Sequence, residues 1–409
     1  METARQAVHN ARACGQYRLG PVSLAPEPAH GGHYETPLGR DPWSVSLEDK
    51  LTLLTACSAA LEAEKCVTMG HAQMQFRREE QHLLTSDGID VAQILHFASA
   101  GLNATSVGPG GIQERSYPNS WGQAITGGYE LLDELDLLAH APAVAAEAAA
   151  LQTAPPCPSG QFDVIIDSTQ LSLQIHESVG HPLELDRVLG GEANYAGTSF
   201  ATTDQLGSLR YGSELVNLTA DATLPRGVGS FGYDDEGVAA QRWPLVADGV
   251  LRGYLTSREH AAAIGEGRSR GAMRAEGWRH VPIIRMVNIS LEPGREPLSL
   301  DELIADTGRG LLLCTNRSWS IDQRRVNFQF GCEAAWEIRD GRLGRLLRDP
   351  VYHGLTTQFW GSCDAICDAR EWQPWGLLNC GKGQPPQIAE MTHGASPARF
   401  RKLSCGAAG

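Results

Sequence analysis

The chain has no apolar run approaching the 18 or more residues that a bilayer-spanning helix needs. An alanine-rich stretch, Ala141 to Ala154, is short and is interrupted by Glu147. A membrane protein is therefore not expected. No basic start followed by an apolar core opens the sequence, so no secretory leader is expected either. Basic residues are in the minority: 34 Lys and Arg stand against 48 Asp and Glu, for a net charge of -14. That balance argues against phosphate-backbone binding as the main task, so no nucleic-acid partner is expected. The small clusters Arg324-Arg325 and Arg399 to Lys402 read as solvated faces or substrate-carboxylate contacts. The ten cysteines follow no regular spacing in a chain of ordinary length, and reduced thiols in a cytoplasm are the simplest expectation. Internal repeats and low-complexity tails are missing too.

What is there is a hydrophobic fraction of 42% over 409 residues, enough for a substantial core in two domains or one large one. The most informative six residues are His176-Glu177-Ser178-Val179-Gly180-His181. Two imidazoles bracket a carboxylate, just after the apolar run Phe162 to Ile166. Histidine is the commonest metal ligand, and a catalytic zinc takes about three protein ligands. A carboxylate beside such a ligand is placed to act as a general base. The segment therefore reads as a metal hydrolase site, provided a third ligand exists.

The histidines lie at i and i+5, not at the i and i+4 of the familiar His-Glu-x-x-His pattern. At about 100° per residue, i+5 leaves the two side chains about 140° apart on a regular helix. A metal site here requires a π-type turn or a break between them, a distortion that clusters at functional sites. Gly180 is a weak helix former, and Pro182 disfavours α geometry at His181. The plain alternative is a helix with one core histidine and one surface histidine.

Several segments resemble the TldD half of the TldD/PmbA metallopeptidase family. They are the hexapeptide with Pro182-Leu183-Glu184-Leu185-Asp186, then Gly197 to Phe200, Phe231 to Gly237, Asp248 to Tyr254 and Asn379 to Gln384. Asp41 to Lys50 resembles a segment in the family's first half, so the likeness runs in order from about residue 40 to 400. It implies a metal held by two histidines and a distant cysteine in a Cys-Gly-Lys context: His176, His181 and Cys380, with Glu177 as the base. A Cys₁His₂ set is chemically sensible, since a thiolate holds zinc at about 2.3 Å. Cys363, which shares an i, i+4 spacing with Cys367, ranks second as third ligand, and His393 third; His353 also lies in this region. The metal is expected to be Zn²⁺, with iron and cobalt also compatible with imidazole donors.

Family members usually carry a longer region before Asp41. Here only about forty residues precede it, and Thr3 to Ala13 looks like the tail of a missing helix. The expectation is a shortened first domain whose sheet has an uncovered edge.

The expected fold class is α+β. Residues 1–155 form an α/β domain with an antiparallel sheet, and 156–409 a β-rich catalytic domain carrying one metal-binding helix. The division falls at the stiff connector Thr153 to Gly160, with Pro155, Pro156 and Pro158. Helices are expected over Leu47 to Glu64, capped by Ser46, and over Tyr129 to Leu151. Strands are expected over Cys66 to Phe76 and Leu83 to Ile89. Asp167 caps the metal helix, with Gln170 completing a capping box, and Gly190-Gly191 ends the segment. Beyond it, Leu245-Val246 and Val250 to Thr256 read as a hairpin. Ile283 to Leu291, Gly310 to Thr315, Val326 to Ile338 and Arg345 to Leu347 read as strands, and Leu300 to Gly308 as a helix.

The resemblance implies a peptidase that trims modified or unfolded peptides. An extended peptide suits a β-rich domain, and Gly227 to Gly232 is either an edge for it or a set of tight turns. The resemblance also implies a heterodimer with a metal-free PmbA (TldE)-like relative, this chain being the metal-bearing half; a homodimer is the alternative. Two other classes are weighed. A hydrolase of small amide conjugates would show a large closed pocket instead of a long groove. A structural subunit would give its metal a fourth protein donor, such as His393.

Overall fold

The computed structural model describes residues 2–17, 20–120 and 122–408. The chain is α+β, with an α/β first half and a β-rich second half. It opens with the exposed helix α1 (Glu2–Cys14) and the strand β1 (Gly31–Glu35). Helix α2 (Leu47–Glu62) follows, with the Ser46 hydroxyl accepting from the Asp49 N–H at 3.0 Å.

Two long strands dominate the first sheet, β2 (Val67–Leu84) and β3 (Asp90–Gly108), paired antiparallel along their length. The expected strand Leu83 to Ile89 is instead the end of β2 plus a turn. Thr85-Ser86-Asp87-Gly88 turns the chain, with Gly88 at φ 86°, and the long strand after it went unread. The other edge of β3 receives β1 in parallel, then β5 (Gln123–Thr126) and β4 (Gly111–Tyr117), both antiparallel. The sheet is thus not wholly antiparallel. The expected helix Tyr129 to Leu151 is two: α3 (Glu130–Leu135) and α4 (Leu137–Leu151). Asp136 sits between them at φ 43°, a left-handed conformation that interrupts the helical turn.

Helices α2 and α4 cover one face of this sheet over a core that includes Ala98, Ala100, Leu102, Leu61 and Ala145. Alternation puts Gln73, Gln75, Arg77, Glu79 and Gln81 on the other face, towards the second half.

After the prolines, β6 (Gly160–Ile166) leads into α5 (Ser168–Ile175), and the short α6 (Leu185–Val188) follows. One sheet holds β7 (Leu218–Asp221), β8 (Arg242–Ala247), β9 (Val250–Leu251), β12 (Asn288–Leu291), β18 (Gln373–Lys382) and β19 (Gln387–Ala395). Its order is β18-β19-β12-β7-β8-β9. The expected strand Val250 to Thr256 thus stops at Leu251. A two-stranded ribbon, β10 (Met273–Arg274) and β11 (Ile283–Ile284), lies apart. The expected strand Ile283 to Leu291 is split into β11, which pairs with β10, and β12, which pairs with β7 and β19; between them the Arg285 side chain donates to two carbonyls of the β18–β19 hairpin.

The other sheet comprises β6, β13 (Arg309–Ile321), β14 (Asn327–Arg339), β15 (Arg342–Leu347), β16 (Pro350–Leu355), β17 (Cys363–Ile366) and β20 (Ala398–Ala407). Pairing of β13 with both β6 and β14 closes β13-β6-β20-β16-β14 into a ring. Helix α7 (Leu300–Thr307) precedes β13, and α8 (Thr356–Gly361) brings Phe359 and Trp360 into the core. The second half carries the expected metal-bearing helix and the expected helix near Leu300 to Gly308, together with the short α6 and α8, and no strand beyond residue 347 was foreseen. Helix α5 packs against both sheets, touching β13 on one side and β12, β18 and β19 on the other.

Candidate metal centre

Strand β6 ends in Val164, Ile165 and Ile166, all fully buried, and fixes where α5 begins. Asp167 caps it, its carboxylate accepting from the Gln170 N–H at 3.0 Å. The reciprocal half of the expected capping box does not form. Gln170 turns its amide to the Tyr352 hydroxyl instead, at 2.9 Å.

At His176 the helix widens. Residues His176–Gly180 form one π turn, and the His181 N–H donates to the His176 carbonyl five residues back. A turn of that width brings side chains at i and i+5 to one side. The two rings stand edge to face, with centroids 4.9 Å apart. Groups displaced from the α-helical pattern find other partners: the Ser178 carbonyl accepts from the Tyr211 hydroxyl, and the Ser178 hydroxyl accepts from the Trp360 indole N–H. A Cβ at Gly180 would collide with the fully buried Met286 side chain, so that position admits only glycine without rearrangement. A 3-10 turn, His181–Leu183, follows, with Pro182 in its first positions.

Cys380 arrives from the far end of the chain on β18. The ladder to β19 slips between Leu377 and Cys380, a bulge that re-aims the strand. The Arg285 guanidinium ties the Cys380 carbonyl down at 2.5 Å. One donor atom from each of His176, His181 and Cys380 lies within 4.8 Å of the others, and all three residues are buried. Cys380 Sγ is 3.6 Å from His181 Nε2. Donors about 2.0–2.3 Å from one tetrahedral ion stand roughly 3.5 Å apart, so this spacing suits a shared cation.

The hydrogen bonds set the tautomers. His393 Nδ1 lies 3.2 Å from the Ile289 carbonyl, which can only accept, so Nδ1 carries the hydrogen and Nε2 accepts. His176 Nδ1, 2.9 Å from that Nε2, must then donate, which leaves its own Nε2 lone pair free. His181 Nδ1 donates to Glu184 Oε2 at 3.0 Å, which frees its Nε2 as well. Both rings thus present Nε2, and each is oriented by a hydrogen bond on the opposite nitrogen, as metal-bound histidines usually are.

His393 lies outside the clustered donors, with both of its nitrogens engaged in hydrogen bonds. Cys363 lies buried on β17 with its sulfur towards the Ala365 carbonyl, and His353 is exposed on β16; neither belongs to the cluster. The role of Glu184 escaped the sequence, where it was only part of a matching segment. It is fully buried and also meets Lys382 Nζ at 3.3 Å, which in turn holds Asp186 at 2.7 Å.

Burial, and secondarily neighbouring charge, pushes His176 and His181 well below the usual imidazole range, so both are neutral donors. Burial lifts the Cys380 thiol to about 11, against the pull of Arg285. A divalent cation would deprotonate it on binding. The residues present fit such a cation. Beside them, Glu177 is buried and ion-paired with Arg325. Burial raises its carboxyl, and Arg325 opposes that rise.

A cleft of about 500 Å³ lies between the first sheet and the β18–β19 hairpin. One wall is the polar face of β2 from Gln73 to Gln81, a span of roughly 26 Å at 3.3 Å per residue. Gly376 lines both this cleft and a small cavity that contains His176 and His393. Leu378 and Asn379, next to the Cys380 bulge, line the cleft.

A buried histidine-cysteine cluster at a π turn, between a ring of strands and a second sheet, has the donor set of a metal-binding protein. Residues 159–405 match the PmbA/TldA metallopeptidase C-terminal domain, and 40–153 match the central domain of the same group. The chain belongs to the TldD/PmbA metallopeptidase family. A metalloprotease of Archaeoglobus fulgidus is 30% identical over 99% of this chain and 87% of its own length. One from Methanocaldococcus jannaschii is 37% identical over 53% of this chain, a stretch that spans 45% of that relative. A protein of Saccharolobus solfataricus named a zinc metalloprotease TldD homolog is 24% identical over 61% of this chain and 52% of its own length. A solved structure from Thermotoga maritima shares the fold, with a TM-score of 0.76 at 16% identity over 98% of this chain and 83% of that one.

Proposed function

We propose that the chain is the metal-bearing, TldD-type subunit of a peptidase that cleaves amide bonds in modified or unfolded peptides. The observation that carries this reading is the donor count. Among the described residues three protein donors converge, and His393, the fourth donor considered, has both nitrogens engaged by His176 and the Ile289 carbonyl. Structural zinc sites are normally closed by four protein ligands, and catalytic ones keep a position open. The name of the Saccharolobus relative supports zinc as the ion. A divalent cation bound there supplies Lewis acidity to an amide carbonyl and to water.

Glu177 is the base in this reading. It takes the proton of the attacking water and returns it to the departing amine. The Arg325 guanidinium holds it, and burial keeps bulk water away. The long polar wall of β2 favours an extended peptide over a small conjugate, which would suit a compact closed pocket. Gly227 and Gly229 pack against Asn288 and serve as tight turns, not as a bare edge.

The TldE-like partner belongs to the same proposal. Among the described residues, the outer edge of β2 pairs with no strand, and α2 exposes Leu47 and Leu51 beside it. Covering such an edge is a usual role for a partner subunit. The ten cysteines are free, and a cytoplasmic location is part of the same proposal. No helix among the described residues is long and apolar enough to cross a membrane.

The test is Glu177→Gln. Metal content should match the parent, and hydrolysis of an unfolded reporter peptide should fall by about 10² or more. Undiminished turnover would remove the base.

A further inference from the structure

Of the basic pair Arg324-Arg325, Arg325 reaches the centre of the reaction described above, where it holds Glu177. It sits in the turn between β13 and β14, at φ 63°. A non-glycine residue there is uncommon and signals a backbone held by its surroundings. The Asp322 carboxylate accepts from the N–H groups of Arg324, Val326 and Asn327. The Arg325 N–H donates to the Asp322 carbonyl at 2.9 Å, and its own carbonyl accepts from the Thr356 hydroxyl at 2.6 Å. The turn is fastened on both sides, so it delivers the guanidinium to a fixed place.

The side chain is 15% exposed, and its single ion pair is with Glu177. Its Nε is buried and has no hydrogen-bond partner among the described residues. Other buried arginines spread their donors more widely. Arg187 binds Glu192 and the carbonyls of Thr198, Ala196 and Gln323. Arg399 binds Asp306, Asp364 and Thr307. Those arrangements hold structure together. Arg325 instead keeps donors spare at the base.

We propose that Arg325 is a specificity-determining residue that receives a carboxylate carried by the substrate beside the scissile amide. A guanidinium takes a carboxylate through two parallel N–H donors, and among the described residues Arg325 commits only Nη1, to Glu177, so the Nη2 edge of this 15% exposed side chain is left for a ligand. The proposal rests on the reading of Glu177 as base. The substrate carboxylate is either the chain terminus of a peptide cut at its last bond or an acidic side chain next to the cut.

The test uses the full, zinc-loaded protein and three probes: N-acetyl-Ala-Ala, its C-terminal amide, and N-acetyl-Ala-Asp-amide. Affinity is measured by calorimetry, and cleavage separately by chromatography. The parent should bind at least one carboxylate probe about ten-fold or more tighter than the neutral amide. Preference for the first probe identifies the chain terminus, and preference for the third the acidic side chain. In Arg325→Gln the preference should shrink to about two-fold or less, with metal content and affinity for the neutral amide retained. In Glu177→Gln, where the competing carboxylate is gone, it should widen. That second variant keeps the proposal testable if Arg325→Gln folds poorly. Equal affinity for all probes in the parent, including no measurable binding, overturns the proposal, as does a preference that survives in Arg325→Gln. A carboxylate preference without any cleavage would leave this proposal standing and sink the peptidase reading; cleavage without a preference would do the reverse.

Discussion

Glu184 shows how much of the centre lies behind the donors. It accepts from His181 Nδ1, and it is held by Lys382, which Asp186 anchors. Removing its charge while keeping its shape should loosen the ring it orients. Glu184→Gln should weaken metal affinity by about 10- to 100-fold, the usual cost of losing such a support, and chelator competition would measure it. Unchanged affinity would show that the carboxylate does not orient His181. At this scale the sequence was partly legible. Two histidines around a glutamate are adjacent in the chain, so their chemistry can be read directly. Cys380 was reached only through the resemblance, because nothing local joins it to residues about 200 positions earlier. His393 was weighed as a ligand, and its hydrogen bonds to His176 and to the Ile289 carbonyl were not legible, since the direction of a ring cannot be read before its strand is placed.

The π turn is the element on which the centre depends. Its spacing, with Gly180 and Pro182 beside it, made a distortion legible in the sequence. Its partners were not, because Met286, Tyr211 and Trp360 come from distant segments. Gly180→Ala should therefore act on packing. The added methyl meets a fully buried Met286, and a loss of about 1–3 kcal/mol in urea unfolding is expected, together with reduced metal content. Unchanged stability and metal content would mean that the turn can shift without cost. Elsewhere, strong local patterns such as α2 and β14 were readable. The last third was not: β18 mixes proline, glycine and asparagine and carries a bulge, so its alternation is broken. The break at Asp136 rests on one left-handed residue inside a good helical pattern.

On the scale of the molecule, the two halves are joined by buried charge. Glu333 of β14 accepts from Arg115 at 3.0 Å and from the Ser116 N–H and hydroxyl at 2.9 and 2.6 Å. Burial pushes its carboxyl up to about 7, against the pull of Arg115. A folded value above the unfolded one, near 4.3, means a contribution fully present at low pH and lost as pH rises through about 7. Relative to Glu333→Gln, whose side chain stays neutral, the parent should lose on the order of 2 kcal/mol of stability between pH 5 and 8. A stability difference that stays constant over that range would contradict the assignment.

The whole account rests on one ion shared by residues from the middle and the end of the chain. Elemental analysis of the purified protein beside Cys380→Ala and Cys363→Ala tests this most directly. Near-stoichiometric metal is predicted in the parent and in Cys363→Ala, with most of it gone from Cys380→Ala. A Cys380→Ala protein that keeps its metal would contradict the account.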